Sequence, residues 1–217
     1  MRDYIDTAEQ IKQRHALADA IRARGIKDAE VLQAIRNVPR HLFLPANMQN
    51  KAYVDKAFPI GHGQTISQPY TVAYQTELLA VKPGHKIMEV GTGSAYQAIV
   101  LAEMGADVYT IERQRNFYEK NLQFSYLRNY PNLHFCFGDG YLGWPSMAPF
   151  DRILITAAPP EVPIGLTDQL VIGGFMVAPV GHPGLQRMMR ICRQLDGLKQ
   201  EVFDHFSFVP MLPGKHG

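Results

Sequence analysis

The sequence predicts an α/β fold: a doubly wound, mostly parallel sheet with an antiparallel C-terminal edge strand and an N-terminal helical extension. Three observations carry this. From Lys86 onward short apolar runs alternate with amphipathic stretches, the pattern of parallel strands joined by crossover helices. The first of those runs, Ile87 to Val90, passes through an acidic residue into Gly91-Thr92-Gly93, a turn whose backbone a ligand can approach because no Cβ intervenes. Near the far end two apolar runs follow one another with only residues 195–201 between them, which reads as a hairpin adding an antiparallel edge strand to a parallel sheet.

In chain order, Ile11, Leu17, Ala20 and Ile21 predict a helix over 7–24, with Gly25 placed where a helix stops. Asp28 is placed to cap a second helix through Val31, Leu32 and Ile35, which ends before Pro39. These two helices carry no chemistry and read as a lid or brace. Residues 45–68 form a long polar stretch rich in Gly and Pro; a loop of that length is more often functional than not. Pro69, favoured in a first helical turn because it lacks the N–H, opens a helix through Leu79. Then come strand 86–90, helix 94–104, strand 107–112, helix 114–128, strands 133–137 and 152–156, a short helix near 164–170, strand 174–179, and the hairpin of 185–194 and 202–209. One structural domain results, residues 1–68 forming the helical extension and active-site loop and 69–217 the ligand-binding core.

Composition bounds the function. The chain has 217 residues, is 46% hydrophobic and carries a net charge of +2, so it can bury a sizeable core and its charge is too mild to imply nucleic acid. The local cluster Arg187, Arg190 and Arg193, interleaved with Met and Ile, reads as the solvated face of an amphipathic element. Two cysteines, Cys136 and Cys192, lie in apolar stretches and are expected to be buried free thiols of a reducing compartment. Residues 1–6 lack an apolar leader core, and no run approaches the roughly 20 apolar residues of a membrane span. A cytoplasmic location without a membrane partner follows as the expectation. No G-x-S-x-G elbow surrounds any serine and the histidines show no ligand spacing, so neither hydrolytic machinery nor metal is expected. His62, near the suspected site, reads as a surface histidine of a loop.

In an open α/β sheet the ligand sits beyond the carboxyl ends of the strands, where strand order reverses. Three strand ends carry suitable residues: Gly91-Thr92-Gly93; Glu112, about twenty residues on, as expected of an acid accepting from ribose hydroxyls; and Gly138-Asp139-Gly140, whose carboxylate could receive an adenine amino group. Singly, each has an ordinary reading as a turn or an exposed acid. Their occurrence at successive strand ends favours a nucleoside-bearing cofactor. A dinucleotide fingerprint needs a small residue at position 96, where this chain has Tyr96. The G-x-G-x-A spacing after Glu89 instead resembles motif I of S-adenosylmethionine-dependent methyltransferases, whose cofactor has no phosphate to cradle.

The resemblance narrows further. Gly63-Gln64-Thr65-Ile66-Ser67-Gln68-Pro69, Glu89-Val90-Gly91-Thr92-Gly93-Ser94, Gly138-Asp139-Gly140, the stretch from Pro149-Phe150-Asp151 to Pro163, Gly173-Gly174 through Gly181, and Phe208-Val209-Pro210 together resemble the protein-L-isoaspartate O-methyltransferase family. The similarity covers about residues 38–210, and Thr65-Ile66-Ser67-Gln68-Pro69 is its most specific segment. It implies a class I, Rossmann-like methyltransferase that uses S-adenosyl-L-methionine. The acceptor would be the α-carboxylate of L-isoaspartyl residues in damaged proteins and peptides, with no nucleic-acid partner; the ester then closes spontaneously to a succinimide, and repair begins. It further implies Ser67 as the catalytic serine, whose alternative is a helix cap before Pro69. Glu89, Gly91, Gly93, Glu112, Asp139 and Gly140 would be cofactor contacts, and Ile66, Ser67, Val209 and Pro210 would face the peptide. Ala95 departs from the family's third glycine, a change tolerable if that residue is already helical. Two alternatives stay open at this point: a methyltransferase of the same fold acting on a small molecule or RNA, and a non-catalytic cofactor-binding module.

Overall fold

A computed structural model describes residues 6–217; residues 1–5, most of the segment read above as lacking a leader core, lie outside the described residues. Helix α1 (Ala8–Ala23) starts at Thr7, whose hydroxyl accepts from the Gln10 N–H while the Gln10 side chain accepts from the Thr7 N–H. That reciprocal arrangement satisfies two donors a helix start otherwise leaves open. Helix α2 (Ala29–Asn37) is capped by the Asp28 carboxylate, as its sequence predicts. Both pack as a brace: α2 lies against α3 (Pro69–Leu79) and α4 (Tyr96–Glu103), and α1 against α2 and α3.

The long polar stretch before Pro69 is not featureless. A 3₁₀ turn (Arg40–Phe43), a second one (Ala46–Lys51) and a hairpin of β1 (Phe58–Gly61) and β2 (Gln64–Ile66) fill it. The antiparallel register pairs Phe58 with Ile66 and Pro59 with Thr65. His62 sits at the hairpin tip in the left-handed region at φ 50°, its ring edge-on to Phe117 at 5.6 Å. The sequence missed this hairpin because its strands are too short to show alternation.

Seven strands form the main sheet: β3 (Lys86–Val90), β4 (Asp107–Glu112), β5 (Leu133–Phe137), β6 (Phe150–Ile155), β7 (Leu170–Val180), β8 (Arg187–Gln194) and β9 (Gly197–His205), in the spatial order β5-β4-β3-β6-β7-β8-β9. The first five in chain order pair in parallel; β8 is antiparallel to both β7 and β9. Hence the antiparallel strand is the penultimate one, and the edge strand β9 runs the same way as β7. The hairpin between β8 and β9 turns through Leu195-Asp196, tighter than the sequence suggests, because the charged start of β9 hides its strand character. Helix α5 (Arg115–Gln123) also ends earlier than expected and passes into a 3₁₀ turn over Ser125–Asn129. The helix expected near 164–170 is reduced to α6 (Ile164–Thr167), and β7 starts earlier, at Leu170.

Alternate residues of the strands feed two apolar cores. Ile87, Val108, Leu154 and Val177 join the helices α1 to α5 on one face; Met88, Val90, Ile111, Ile153 and Ile155 face Leu166 and Met211 on the other. Cys136 and Cys192 are half-buried rather than buried, lying on β5 and β8 away from the sheet centre. The three arginines of β8 do not share one solvated face, because a strand sends successive side chains to opposite faces. Arg187 donates to the Phe203 carbonyl, Arg190 pairs with Glu201 at 2.6 Å, and Arg193 donates to the carbonyls of Asp168 and Leu170.

One charged group ties the extension to the core. Arg40 is fully buried, donates from Nε to the Ala52 carbonyl at 3.0 Å and from a terminal nitrogen to that of Lys56 at 3.3 Å, and lies over the Tyr96 ring at 4.8 Å. Burial lowers its pKa to about 10, so it stays charged at neutral pH. Arg40→Ala leaves a cavity and two carbonyls without their donor, and should cost about 3–5 kcal/mol in denaturant unfolding. A loss below about 1 kcal/mol would show that this tie contributes little.

Candidate active site

Strand order reverses between β3 and β6. A cleft of about 910 Å³ opens beyond their carboxyl ends, walled by the turn after β3, the residues after β4, the β2–α3 junction and the segment 206–212. This is where an open α/β sheet leaves room for a ligand.

The turn after β3 is fixed from three sides. The Thr156 hydroxyl, at the end of β6, lies 2.7 Å from the Gly91 carbonyl, which accepts from it, and a Cβ on Gly91 would come within 2.6 Å of that oxygen. Only glycine fits there, at φ 101°. The Gly93 N–H donates to Glu112 Oε2 at 2.8 Å, and the Gly93 carbonyl accepts from the Asn121 amide at 3.0 Å. Ala95 follows at φ 67°, fully buried, at the N-cap of α4. It is left-handed rather than helical, so the condition on which alanine was expected to be tolerable is not met.

Glu112 lines the cleft at 5% exposure. Its other oxygen accepts from the Gln114 N–H at 2.7 Å. Burial raises its pKa, opposed by the N–H groups of Gln114 and Gly93. A carboxylate offers about four acceptor positions, so capacity remains for a hydroxyl of a ligand. Glu89 lies one layer deeper. Its side chain is fully buried and does not reach the cleft lining; Oε2 accepts from the Thr110 hydroxyl at 2.6 Å, and Thr110 meets the Thr92 hydroxyl at 2.6 Å. Its other oxygen has no partner among the described residues, and burial pushes its pKa up to about 8, the Thr110 hydroxyl opposing and the Glu112 charge adding.

Ser67 lines the cleft, half-buried, beside Ile66. It is not the cap of α3: the N-cap is Gln68, with no capping bond from its own side chain. Asp55 does that work from a distance, accepting from the Tyr70 N–H at 2.8 Å and the Gln68 amide at 3.0 Å while pairing with Arg24, which stacks on the Tyr70 ring. Asp55 has no sequence signature, since nothing in the chain marks a capping residue that far before a helix.

In the segment that follows β9, the Gln186 side chain donates to the Phe208 carbonyl at 3.1 Å and accepts from the Phe208 N–H at 2.6 Å. Ala158 continues the pairing, donating to the Val209 carbonyl and accepting from the Met211 N–H, each at 2.8 Å. These bonds hold Val209 and Pro210 in the lining of the cleft that Ser67 also lines. Gly140 lines the cleft too; a Cβ on it would overlap Val90. The Asp139 side chain is outside the lining, its oxygens accepting from the N–H groups of Tyr141 at 2.9 Å and Gly214 at 2.7 Å. Thus Gly91, Gly93, Glu112, Gly140, Ile66, Ser67, Val209 and Pro210 converge, whereas Glu89 and Asp139 stand behind them. Thr156, Asn121 and Gln186 were missed by the sequence reading; Thr156 alone had a signal, its place at a strand end.

The lining suits a nucleoside without phosphate. Apolar Val90, Ile111 and Met211 share the lining with the Glu112 acceptor, and the two arginines in it are committed elsewhere, Arg24 to Asp55 and Arg113 to the carbonyls of Pro213 and Gly214.

The model of the family described as Protein-L-isoaspartate(D-aspartate) O-methyltransferase matches residues 12–216. Over 211 residues the chain is 47% identical to the protein-L-isoaspartate O-methyltransferase of Christiangramia forsetii and 46% identical to that of Flavobacterium johnsoniae, covering 97% of this chain and 99% of each relative. A solved protein-L-isoaspartate O-methyltransferase is similar at a TM-score of 0.81 and 25% identity, covering 91% of this chain and 65% of that one. A solved chain from Plasmodium falciparum, described as a protein-L-isoaspartate O-methyltransferase in complex with S-adenosyl-L-homocysteine, is similar at a TM-score of 0.79 and 25% identity, covering 92% and 98%.

Two outcomes follow from the turn. Ala95→Gly removes left-handed strain of about 1–2 kcal/mol against the loss of one buried methyl, about 0.8 kcal/mol, so thermal unfolding should show equal or slightly higher stability; a loss above 1 kcal/mol would contradict the strain. Glu89 has a folded pKa above its unfolded value, so its contribution is fully present below about pH 4.5 and is lost as pH rises to about 8. Glu89→Gln should therefore flatten the pH 5 to 8 stability difference by roughly 1–3 kcal/mol, a pKa unit being worth about 1.4 kcal/mol. Parallel pH profiles of the two proteins would refute the assignment.

Proposed function

The chain belongs to the protein-L-isoaspartate(D-aspartate) O-methyltransferase family, and on that premise we propose which residues of the cleft serve each part of the reaction. The protein transfers a methyl group from S-adenosyl-L-methionine to the α-carboxylate of L-isoaspartyl residues in damaged proteins and peptides, the step that initiates their repair. The observation carrying the residue assignment is that Ser67, the Glu112–Gly93 pair, Val209 and Pro210 line one cleft.

Bound S-adenosylmethionine supplies a methyl group on a positive sulfur. Gly91, Gly93 and Gly140 would let it approach the backbone, and Glu112 would accept from its ribose hydroxyls. Glu89 acts on the same turn through Thr110 and Thr92, and Asp139 acts from behind Gly140. A carboxylate acceptor with a pKa near ~3.9 is ionised at neutral pH, so no general base is needed. The Ser67 hydroxyl donates to that carboxylate and fixes its direction of attack, with Ile66, Val209 and Pro210 flanking the peptide. With the acceptor already anionic, these residues would act by alignment and by partial removal of water. Residues 1–68 bring the acceptor-facing loop and 69–217 the cofactor core. The partners are isoaspartyl proteins and peptides rather than nucleic acid, and the two free thiols accord with a cytoplasmic location.

Labelled methyl transfer to an isoaspartyl peptide beside its normal aspartyl twin tests the reading. Transfer to the isoaspartyl peptide alone is expected; equal rates on both would overturn it. Ser67→Ala should lower kcat/KM roughly 10- to 1000-fold, as for one lost hydrogen bond plus alignment. Cofactor affinity should stay unchanged and no new ionisation should appear between about pH 6 and 8. A fully active variant would remove Ser67 from the mechanism.

A further inference from the structure

We propose that the outer end of the cleft is a subsite for a cationic side chain flanking the isoaspartyl residue, with Asp204 receiving the charge and Phe206 the stem or plane that carries it. The inference rests on the repair reading above and deepens it, since it names the class of peptide that the cleft prefers.

The cleft extends past the residues assigned to cofactor and acceptor. Gly184, Asp204, His205, Phe206 and Ser207 also line it, and the reaction as assigned uses none of them. Asp204 belongs to β9, and the chain runs on from it through Phe208 into Val209 and Pro210. The backbone from Asp204 to Val209 spans at most about 18 Å even when fully extended. A substrate residue within about five of the isoaspartyl one therefore comes within reach of Asp204.

Asp204 is exposed, yet its carboxylate is held in place. Its Oδ2 accepts from the Tyr74 hydroxyl at 3.2 Å. Burial and the Asp204 charge push the Tyr74 pKa up to about 12, so at neutral pH the hydroxyl keeps its proton and remains a donor. That bond leaves most acceptor positions of the carboxylate open. Asp204 has no ion-pair partner among the described residues.

What sets this acid apart from an ordinary solvated one is the aromatic row beside it. The Tyr74 ring lies 4.9 Å from that of Phe206 and 5.9 Å from that of Tyr70, and the half-buried Phe206 and Tyr70 both line the cleft. At the far end of the row a cation is already seated on a ring: the Arg24 guanidinium lies 3.7 Å from the Tyr70 centroid, its charge taken by Asp55. The Phe206 end offers a ring and a carboxylate without the cation. Lysine and arginine suit such a place, since the stem or guanidinium plane covers the ring while the charged head meets the carboxylate. A glutamate at the same point would face Asp204 as a like charge, so the subsite discriminates by repulsion as well as by attraction.

Labelled methyl transfer to a series of otherwise uncharged isoaspartyl peptides tests the subsite, each carrying one Lys, Gln or Glu at one of about five positions on either side. At one position or more, Lys should exceed Gln in kcat/KM about 3- to 10-fold, the scale of one exposed ion pair with one cation–ring contact, and Glu should fall below Gln. The gain should lie in KM, with kcat unchanged within about twofold, because the contact is the same before and during transfer. Raising the salt to about 0.5 M should shrink the preference, as exposed charges are screened. Asp204→Asn should bring the Lys-to-Glu ratio close to one, and Asp204→Lys should invert it. A ratio that survives Asp204→Asn places the preference elsewhere and overturns the proposal. Transfer by the unaltered chain without any charge preference overturns this inference alone, whereas no transfer to any isoaspartyl peptide would overturn the repair reading and this inference with it.

Discussion

Strand order reverses between β3 and β6, so the chain leaves these two strands toward opposite sides and neither connection covers the crevice between their ends. That constraint governs what is built around it. The glycine turn occupies the end of β3 and is held against β6 by Thr156, against β4 by Glu112 and against α5 by Asn121. A turn fixed by three elements keeps its backbone pointing at the cleft without a ligand to order it. Preorganisation of this kind spares the ordering cost that binding otherwise carries.

The two acids of the turn region illustrate how depth assigns roles. Glu112, at a strand end, has its oxygens bonded to N–H groups and retains acceptor capacity toward the cleft. Glu89, mid-strand, is enclosed by the sheet and bonded only to a hydroxyl, so burial favours its neutral form. A neutral Glu89 avoids placing a second buried negative charge beneath Glu112. The hydroxyl chain from Glu89 through Thr110 to Thr92 transmits position rather than charge.

The acceptor side is arranged by the parts of the chain that carry no chemistry. Arg40 fastens residues 52–56 beneath the brace, and Asp55, within that stretch, caps α3 and grips Gln68. The Ser67 segment is thereby stretched between the short hairpin and the start of α3. Elsewhere in the cleft lining, Gln186 and Ala158 fix Phe208 through Met211. For a reaction whose acceptor is already ionised, holding two walls at a set separation is the main service a protein can supply.

The sequence by itself determined the alternating order of strands and helices, the boundaries of β3, β4 and β5, and the residues that form the cleft floor, because strand periodicity, Pro69 and the Gly-x-Gly turn are local signals. It also marked Ser67, Val209 and Pro210, through segment identity rather than through any physical pattern. Only the tertiary structure decided which of those residues share a cleft and which stand behind it. Glu89 reads in sequence like any acid before a glycine turn, and its enclosure depends on β4 and β6 flanking it. Asp139 reads as a ligand contact between glycines, and its oxygens are taken by an adjacent turn and a segment far along the chain. Ala95 reads as a harmless replacement until its left-handed backbone is known. Asp55 gives no sign of capping a helix that starts beyond the hairpin. Long-range partners and backbone sign are set by how elements pack, and neither leaves a trace in local residue spacing.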